Sequence, residues 1–138
     1  MLSSRAKYAL RAAIHLADQA HNGDWVPTAR IATAEAIPRK FLEAILVELR
    51  TNGVLESRRG PGGGHRLRRA SGEIAVADII RIVDGPLALA PCVSRTRFGP
   101  CDDCPDFDSC RMRPLLGRAR DAVAAVLEHS MLADLARR

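Results

Sequence analysis

A chain of 138 residues with a formal net charge of +5 and a pI near 9.6 holds one domain's worth of polypeptide. Hydrophobic residues make up 47% of it but aromatic residues only 4%, so the core has to be built from Ala, Leu, Ile and Val, which favours packed helices. No segment approaches the roughly 18 uninterrupted apolar residues that a membrane-spanning helix requires.

The charge is unevenly placed. Residues 1–70 hold 12 Lys and Arg against 6 Asp and Glu, whereas residues 71–138 hold 9 against 10. A basic front half joined to a neutral back half points to a polyanion-binding module with a second part attached.

The opening "MLSSRAKYALRAAIHLADQA" has the early Arg5 and Lys7 of a secretory leader, but Arg11, His15 and Asp18 interrupt its apolar stretch. It is read as structure and not as a signal. The expected setting is cytoplasmic, where four cysteines do not form structural disulfides. From Arg5 to about Ala20, Ala6, Ala9, Leu10, Ala13, Ile14 and Ala17 recur at helical spacing, and Asn22-Gly23 ends the helix. Thr28 is the expected N-cap of a short helix over "ARIATAEA". Pro38 stands where the next helix begins, and "RKFLEAILVELR" puts Phe41, Leu42, Ile45, Leu46 and Leu49 on one face before Asn52-Gly53 closes it. Two short helices joined tightly, the second opening on Arg39 and Lys40, make a helix-turn-helix pattern.

The stretches "VLESRR" and "HRLRR" flank a run of glycines and predict a β-hairpin. A glycine-rich phosphate loop would end in Lys-Ser or Lys-Thr and open a helix; "RRGPGGGHRLRR" does neither. A hairpin directly after a helix-turn-helix reads instead as a wing. Its glycines allow close backbone approach and its arginines supply charge for a DNA backbone or minor groove. Beyond it, "EIAVADIIRIVDG" predicts an amphipathic helix stopped at Gly85-Pro86. A stretch without periodicity then carries all the cysteines. "RPLLGRARDAVAAVLEHS" aligns Leu115, Ala119, Ala122, Val123, Val126 and Leu127 on one stripe suited to a second subunit, and Ser130 is the expected cap of a last short helix, "MLADLARR".

Three stretches together, "AKYALRAAIHLA", "IPRKFLEAILVELRTNGVLESRRGPGGGHRL" and "EIAVADIIRIVDG", resemble the Rrf2 family of bacterial winged-helix transcription regulators. The likeness runs across nearly the whole chain. It implies a mainly α fold with a small β-hairpin, a winged helix-turn-helix DNA-binding domain over 1–85, an effector loop over 86–110, and a dimerisation helix with a C-terminal helix over 111–138. Such proteins are dimers whose long C-terminal helices cross, and many sense iron–sulfur clusters, nitric oxide, iron or redox state through a cysteine loop. The resemblance places the "PRKFLE" end of the third helix, with Pro38, Arg39, Lys40 and Glu43, in the major groove. The wing tip, with Arg58, Arg59, Gly62, Gly63, Gly64 and His65, lies at the adjacent minor groove.

General chemistry agrees. A helix N-terminus turns free N–H groups and a positive dipole end toward phosphates, arginine can read guanine, and Glu43 can accept from cytosine N4. Arg59 is the foremost minor-groove candidate, while Arg58, Arg66, Arg68 and Arg69 suit phosphate contacts or solvated positions. His65 departs from the aromatic residue usual after the glycines and is read as structural in the wing. His15, His21 and His129 are read as surface or core residues.

Cys92, Cys101, Cys104 and Cys110 have the spacing C-x8-C-x2-C-x5-C, a soft-metal pattern. Cluster-binding loops of the family have three cysteines, which Cys92, Cys104 and Cys110 match, leaving Cys101 as an extra thiol. The family's other ligands are missing: Lys7 stands where some relatives have a carboxylate on the first helix, and Arg113 where others have a histidine. Cys101 can complete an all-cysteine site for an iron–sulfur cluster or for zinc; a carboxylate from Asp102, Asp103, Asp106 or Asp108 is the other choice. The cluster ranks first, zinc or thiol-redox sensing second, and a loop without a ligand last. The resulting expectation is a homodimeric repressor on a palindromic double-stranded operator, controlled from the cysteine loop. With no nucleophile–base pair, Walker sequence or HExxH, an enzyme is not expected.

Overall fold

The computed structural model describes residues 2–137, so Met1 and Arg138, the outer limits of the expected segments, fall outside it. The first helix, α1, spans Ser4–Gln19, and Ser3 caps it by accepting the Ala6 N–H on Oγ at 3.0 Å. Its buried face is Ala6, Ala9, Ala12, Ala13, Leu16 and Ala17. A face built almost wholly of alanine lets neighbouring helices approach closely, which makes α1 the centre of the head. A short 3₁₀ turn over Ala20–Asn22 ends at Gly23 in the left-handed region, as the Asn-Gly pair predicts.

The helix-turn-helix consists of α2 (Thr28–Glu35) and α3 (Arg39–Thr51). Ala36 turns the chain between them with a φ of 52°, and Ile37 plugs the corner at 4% exposure. Two sequence expectations change here. Thr28 is the first residue of α2 and not its cap; its hydroxyl lies 2.9 Å from His65 Nε2, a partner the local sequence cannot supply. Leu42, Ile45, Leu46 and Leu49 are buried as expected, but Phe41 is 55% exposed. In the first turn of α3 only Leu42 faces inward, and Phe41 falls beside Lys40 on the open edge.

The hairpin pairs β1 (Leu55–Arg58) with β2 (Gly64–Leu67) antiparallel, from Leu55 opposite Leu67 to Arg58 opposite Gly64. Val26, just before α2, adds a one-residue third strand: its N–H and C=O both bond to His65 at 2.8 Å. The wing is therefore stitched to the entry of the helix-turn-helix. α4 (Val76–Asp84) starts three residues later than the apolar pattern predicts. A 3₁₀ turn over Ser71–Glu73 comes first, and Asp78 Oδ2 accepts the Ala75 N–H at 3.3 Å, marking the true N-terminus. Gly85 ends it as expected.

A coil with one 3₁₀ turn over Pro91–Val93 leads to α5 (Arg113–Glu128), none of whose residues is fully buried. The chain then returns to the head through α6 (Leu132–Leu135). Backbone bonds from Val76 N–H to Ser130 O and from Leu132 N–H to Ile74 O hold it, and Leu132 is completely buried in the core. Ser130 does not cap α6, because its hydroxyl donates back to Val126 O at 2.7 Å. Met131 stands at the cap position, and Asp134 inside the helix reaches back to accept its N–H at 2.9 Å. No helix of the described residues is long and apolar enough to cross a membrane.

Candidate nucleic-acid interface and cysteine loop

The free edge of α3 and the tip of the hairpin carry most of the candidate DNA contacts. Pro38, Arg39, Lys40, Phe41 and Glu43 are all exposed in the first turns of α3. Pro38 serves as its N-cap, so the helix opens without a side-chain acceptor for its first N–H groups, which leaves them available to an anion. Arg39 Nε and Glu43 Oε1 lie 3.3 Å apart one turn along, both well exposed; a pair so solvated is easily opened when another partner arrives. Phe41, assigned to the core on sequence grounds, adds an apolar surface to this edge of the kind that meets a thymine methyl group. Its signal was the bulky residue at the margin of the apolar stripe.

Arg58 and Arg59 lie exposed at the wing tip. Among the described residues, neither they nor Lys40 has an ion-pair partner. Two of the wing glycines are enclosed by the protein itself. A methyl group at Gly63 would overlap the Arg58 carbonyl, and one at Gly64, where φ is 151°, would overlap the Val26 carbonyl. Gly60 and Gly62, with φ 89° and 75° and nothing near them, are open to solvent. The close approach that glycine permits at positions 63 and 64 is thus to the protein's own backbone.

His65 is likewise tied into the fold, in keeping with its reading as a structural residue of the wing. Its Nδ1 lies 2.7 Å from Ser57 Oγ and its Nε2 2.9 Å from Thr28 Oγ1, tying both strands of the wing to the start of α2. Burial, and then the Arg50 guanidinium, hold its pKa below the ordinary histidine value. Each hydroxyl can donate or accept, so both ring nitrogens of a neutral imidazole find a partner here. Arg66 pairs with Glu56 and stacks over Trp25, with its guanidinium 4.0 Å from the ring centroid, which leaves it less free than Arg59. His15 lies 3.2 Å from Glu35, His129 Nδ1 2.7 Å from the Ala125 carbonyl, and His21 is exposed.

In the cysteine loop the four thiols are free but unevenly placed. Cys92 is buried at 6% exposure, whereas Cys101, Cys104 and Cys110 are half-buried. The loop is polar, yet Cys92 packs, because the 3₁₀ turn carries it under α5. Cys101 Sγ lies 3.8 Å from Cys92 Sγ. The family resemblance groups Cys92 with Cys104 and Cys110 and leaves Cys101 as an extra thiol able to be a fourth ligand; the fold places the Cys101 sulfur against that of Cys92. Cys110 shares a cleft with Cys92, Asp108, Arg113 and Arg120. Cys104 is held on a turn by its N–H to Cys101 O at 3.1 Å.

No three His, Cys, Asp or Glu side chains converge on one point among the described residues. The donor chemistry nevertheless fits a soft metal. Two thiolates at about 2.3 Å from one tetrahedral ion stand about 3.8 Å apart, which is the observed Cys92–Cys101 separation. Cys92 and Cys101 thus have the separation that two such ligands would need, whereas Cys104 and Cys110 do not converge with them.

The surrounding charges sort the aspartates. Asp106 is tied into its own turn by the Ser109 hydroxyl and then the Asp108 N–H, which hold its pKa below the usual carboxylate range. Asp102 and Asp103 are exposed, and Asp108 alone of the four borders the cleft. Desolvation and the hydrogen bond to Cys92 push the Cys101 thiol upward, with Asp103 adding to the rise. Arg113 lies over the Phe107 ring at 3.7 Å, and Arg120 donates to Val93 O at 2.6 Å. Arg120 is also paired with Asp121 at 2.7 Å, so Arg113 is the cleft guanidinium without a carboxylate partner among the described residues.

Two short helices with a basic leading edge, followed by an arginine-tipped hairpin stitched to their entry, define a winged helix-turn-helix protein. The family model described as "Rrf2: Iron-dependent Transcriptional regulator" matches residues 2–138. A Rhodobacter capsulatus protein named as an rrf2-like HTH-type transcriptional regulator is 37% identical over 139 residues, covering 98% of this chain and 91% of that one. The HTH-type transcriptional regulator IscR of Cronobacter sakazakii is 31% identical over 134 residues, covering 97% of this chain and 78% of its own. Among solved structures, CymR of B. subtilis, described as its global cysteine regulator, superposes with a TM-score of 0.78 at 30% identity, covering 99% of this chain and 95% of that one. The chain belongs to the Rrf2 family of transcriptional regulators. These relatives are regulators and not enzymes.

Proposed function

We propose that this regulator is a homodimeric repressor that binds a palindromic operator through α3 and the wing, with affinity set by an iron–sulfur cluster at the cysteine loop. The observation that carries the DNA reading is the unpaired, exposed cationic edge of Lys40, Arg58 and Arg59, aligned by the Val26–His65 stitch. Arg39, Phe41 and Glu43 face base edges in the major groove, and Arg59 enters the minor groove. Residues 1–85 form the DNA-binding head, 86–110 the effector loop and 111–138 the dimerisation part, whose last helix docks back on the head.

Arg59→Ala is expected to weaken binding of a specific promoter fragment by about 1–3 kcal/mol. Lys40→Ala should weaken all sequences alike and reduce the slope of log affinity against log salt by about 1. Fluorescence anisotropy across a salt series measures both, and unchanged affinity in Arg59→Ala removes the wing from the interface.

Cys92, Cys101, Cys104 and Cys110 are the ligands assigned to the cluster, which when bound supplies a centre responsive to oxidants, nitric oxide or iron supply. Arg113 offsets part of its negative charge. The coupling to DNA is a difference in ligand affinity between two arrangements of the heads, transmitted through α5. Zinc is the second reading, favoured by the same 3.8 Å thiol separation. Anaerobic purification followed by a visible spectrum and metal analysis separates the two. Cys101→Ser is expected to lose the chromophore or the zinc, because removing one ligand from a closed four-coordinate site costs the metal. Full retention would assign the fourth position to Asp108 or to the second subunit.

A further inference from the structure

We propose that Cys92 and Cys101 are a thiol pair placed to close to a reversible disulfide in the presence of hydroperoxides. Their sulfurs already lie 3.8 Å apart, so bond formation at about 2.05 Å needs an approach of about 1.8 Å. The backbone holds them in register. The Gly99 N–H donates to Pro91 O at 3.2 Å, and the Arg97 N–H donates to Ser94 Oγ at 2.9 Å. Ser94 itself is buried. These bonds fold the segment after Cys92 back on itself, so that Pro100 delivers Cys101 beside the buried thiol. Neither Cys104 nor Cys110 has a sulfur contact of this kind among the described residues.

Cys101 is the more accessible of the two and meets the oxidant first. Its sulfur takes the distal oxygen of the hydroperoxide, releasing an alcohol, or water from hydrogen peroxide, and becomes a sulfenic acid. The Cys92 sulfur then forms the S–S bond and displaces hydroxide, which leaves as water with the Cys92 proton. Two thiols lose two electrons in all and one peroxide is reduced; a dithiol restores the pair by exchange. Where the proposed cluster reading holds, the bond has a further consequence. A sulfur in a disulfide is not a thiolate ligand, so the oxidised loop cannot be loaded until it is reduced.

The experiment treats the metal-free, full-length protein with hydrogen peroxide, blocks remaining thiols and digests it with trypsin without reductant. Peptide Ile82–Arg95, which holds Cys92, is expected to be linked to Phe98–Arg111, with fragmentation placing the bond at Cys101. Titration should register the loss of two of the four free thiols, recovered with dithiothreitol. The link should persist in the Cys104→Ser/Cys110→Ser protein and vanish in Cys101→Ser. Linkage of Cys92 to Cys104 or Cys110 in the wild type, or no linkage at all, overturns the proposal. A separate arm adds iron and sulfide to oxidised and to reduced protein. Uptake by the disulfide form equal to that of the reduced form would overturn Cys92 and Cys101 as cluster ligands, while the mapped bond would stand.

Discussion

Gly64→Ala is expected to cost about 3 kcal/mol of stability and to abolish operator binding. Two effects coincide at this residue. Its φ of 151° is a conformation that L residues rarely adopt, and an added methyl group meets the Val26 carbonyl, which cannot yield without breaking the Val26–His65 bridge. Each effect is worth about 1–3 kcal/mol. In a chain of this size the loss corresponds to a fall in Tm of roughly 10 °C. Relief by local opening would free β2 from α2 and leave the arginine tip without an anchor. Gly72→Ala is the control: Gly72 has open space around it and no unusual φ, so it should melt within about 0.5 kcal/mol of wild type. Thermal melts followed by circular dichroism, with DNA binding measured well below both transitions, read the difference. Equal melting of the two variants would show that the stitch does not hold the wing.

Val123→Asp is expected to convert a dimer to monomer. Leu115, Val123 and Val126 on α5 are exposed by 62%, 46% and 64% in the single chain. Ala119, Val123 and Leu127 also line a groove with Leu87, Leu89 and the start of α1. Apolar surface of this extent on so small a protein marks an association site, and a second copy supplies an identical stripe. An aspartate there buries a charge with no partner in either subunit, at a cost of several kcal/mol. Self-association should therefore weaken by at least about 100-fold. Light scattering at micromolar concentration checks the mass of both proteins, and a monomeric wild type would refute the assignment. If the proposed dimer reads a palindromic operator, operator affinity should fall with dimer loss, since a monomer would reach only a half-site.

Most of the elements were legible in the sequence, because helix periodicity, Asn-Gly stops and a glycine turn between short strands act over a few neighbouring residues. α1, both helices of the helix-turn-helix, the hairpin and α5 lie where those signals put them. The misplacements at Thr28, Ser130 and the start of α4 share one cause: each depends on a hydrogen-bond partner whose identity periodicity does not report. Thr28 turns to His65, Ser130 reaches back to Val126, and Asp78 marks the true start of α4. Phe41 was misread for a related reason, since the apolar stripe shows which residues share a face but not how far the core beneath it extends.

Residue types, their periodicity and the family resemblance carried the class of the protein, the order of the winged helix-turn-helix, its basic edge and the four soft thiols of the loop. How those groups are used came from the folded chain. Folding fastens Gly63, Gly64 and His65 against the protein's own backbone and hydroxyls, returns α6 to the core, and sets Cys101 beside Cys92. The reason is that side-chain type is local, whereas a contact depends on chain reversals. The 3.8 Å between two sulfurs nine residues apart follows from a folded-back loop and one Gly99–Pro91 hydrogen bond, and residue spacing carries no record of either.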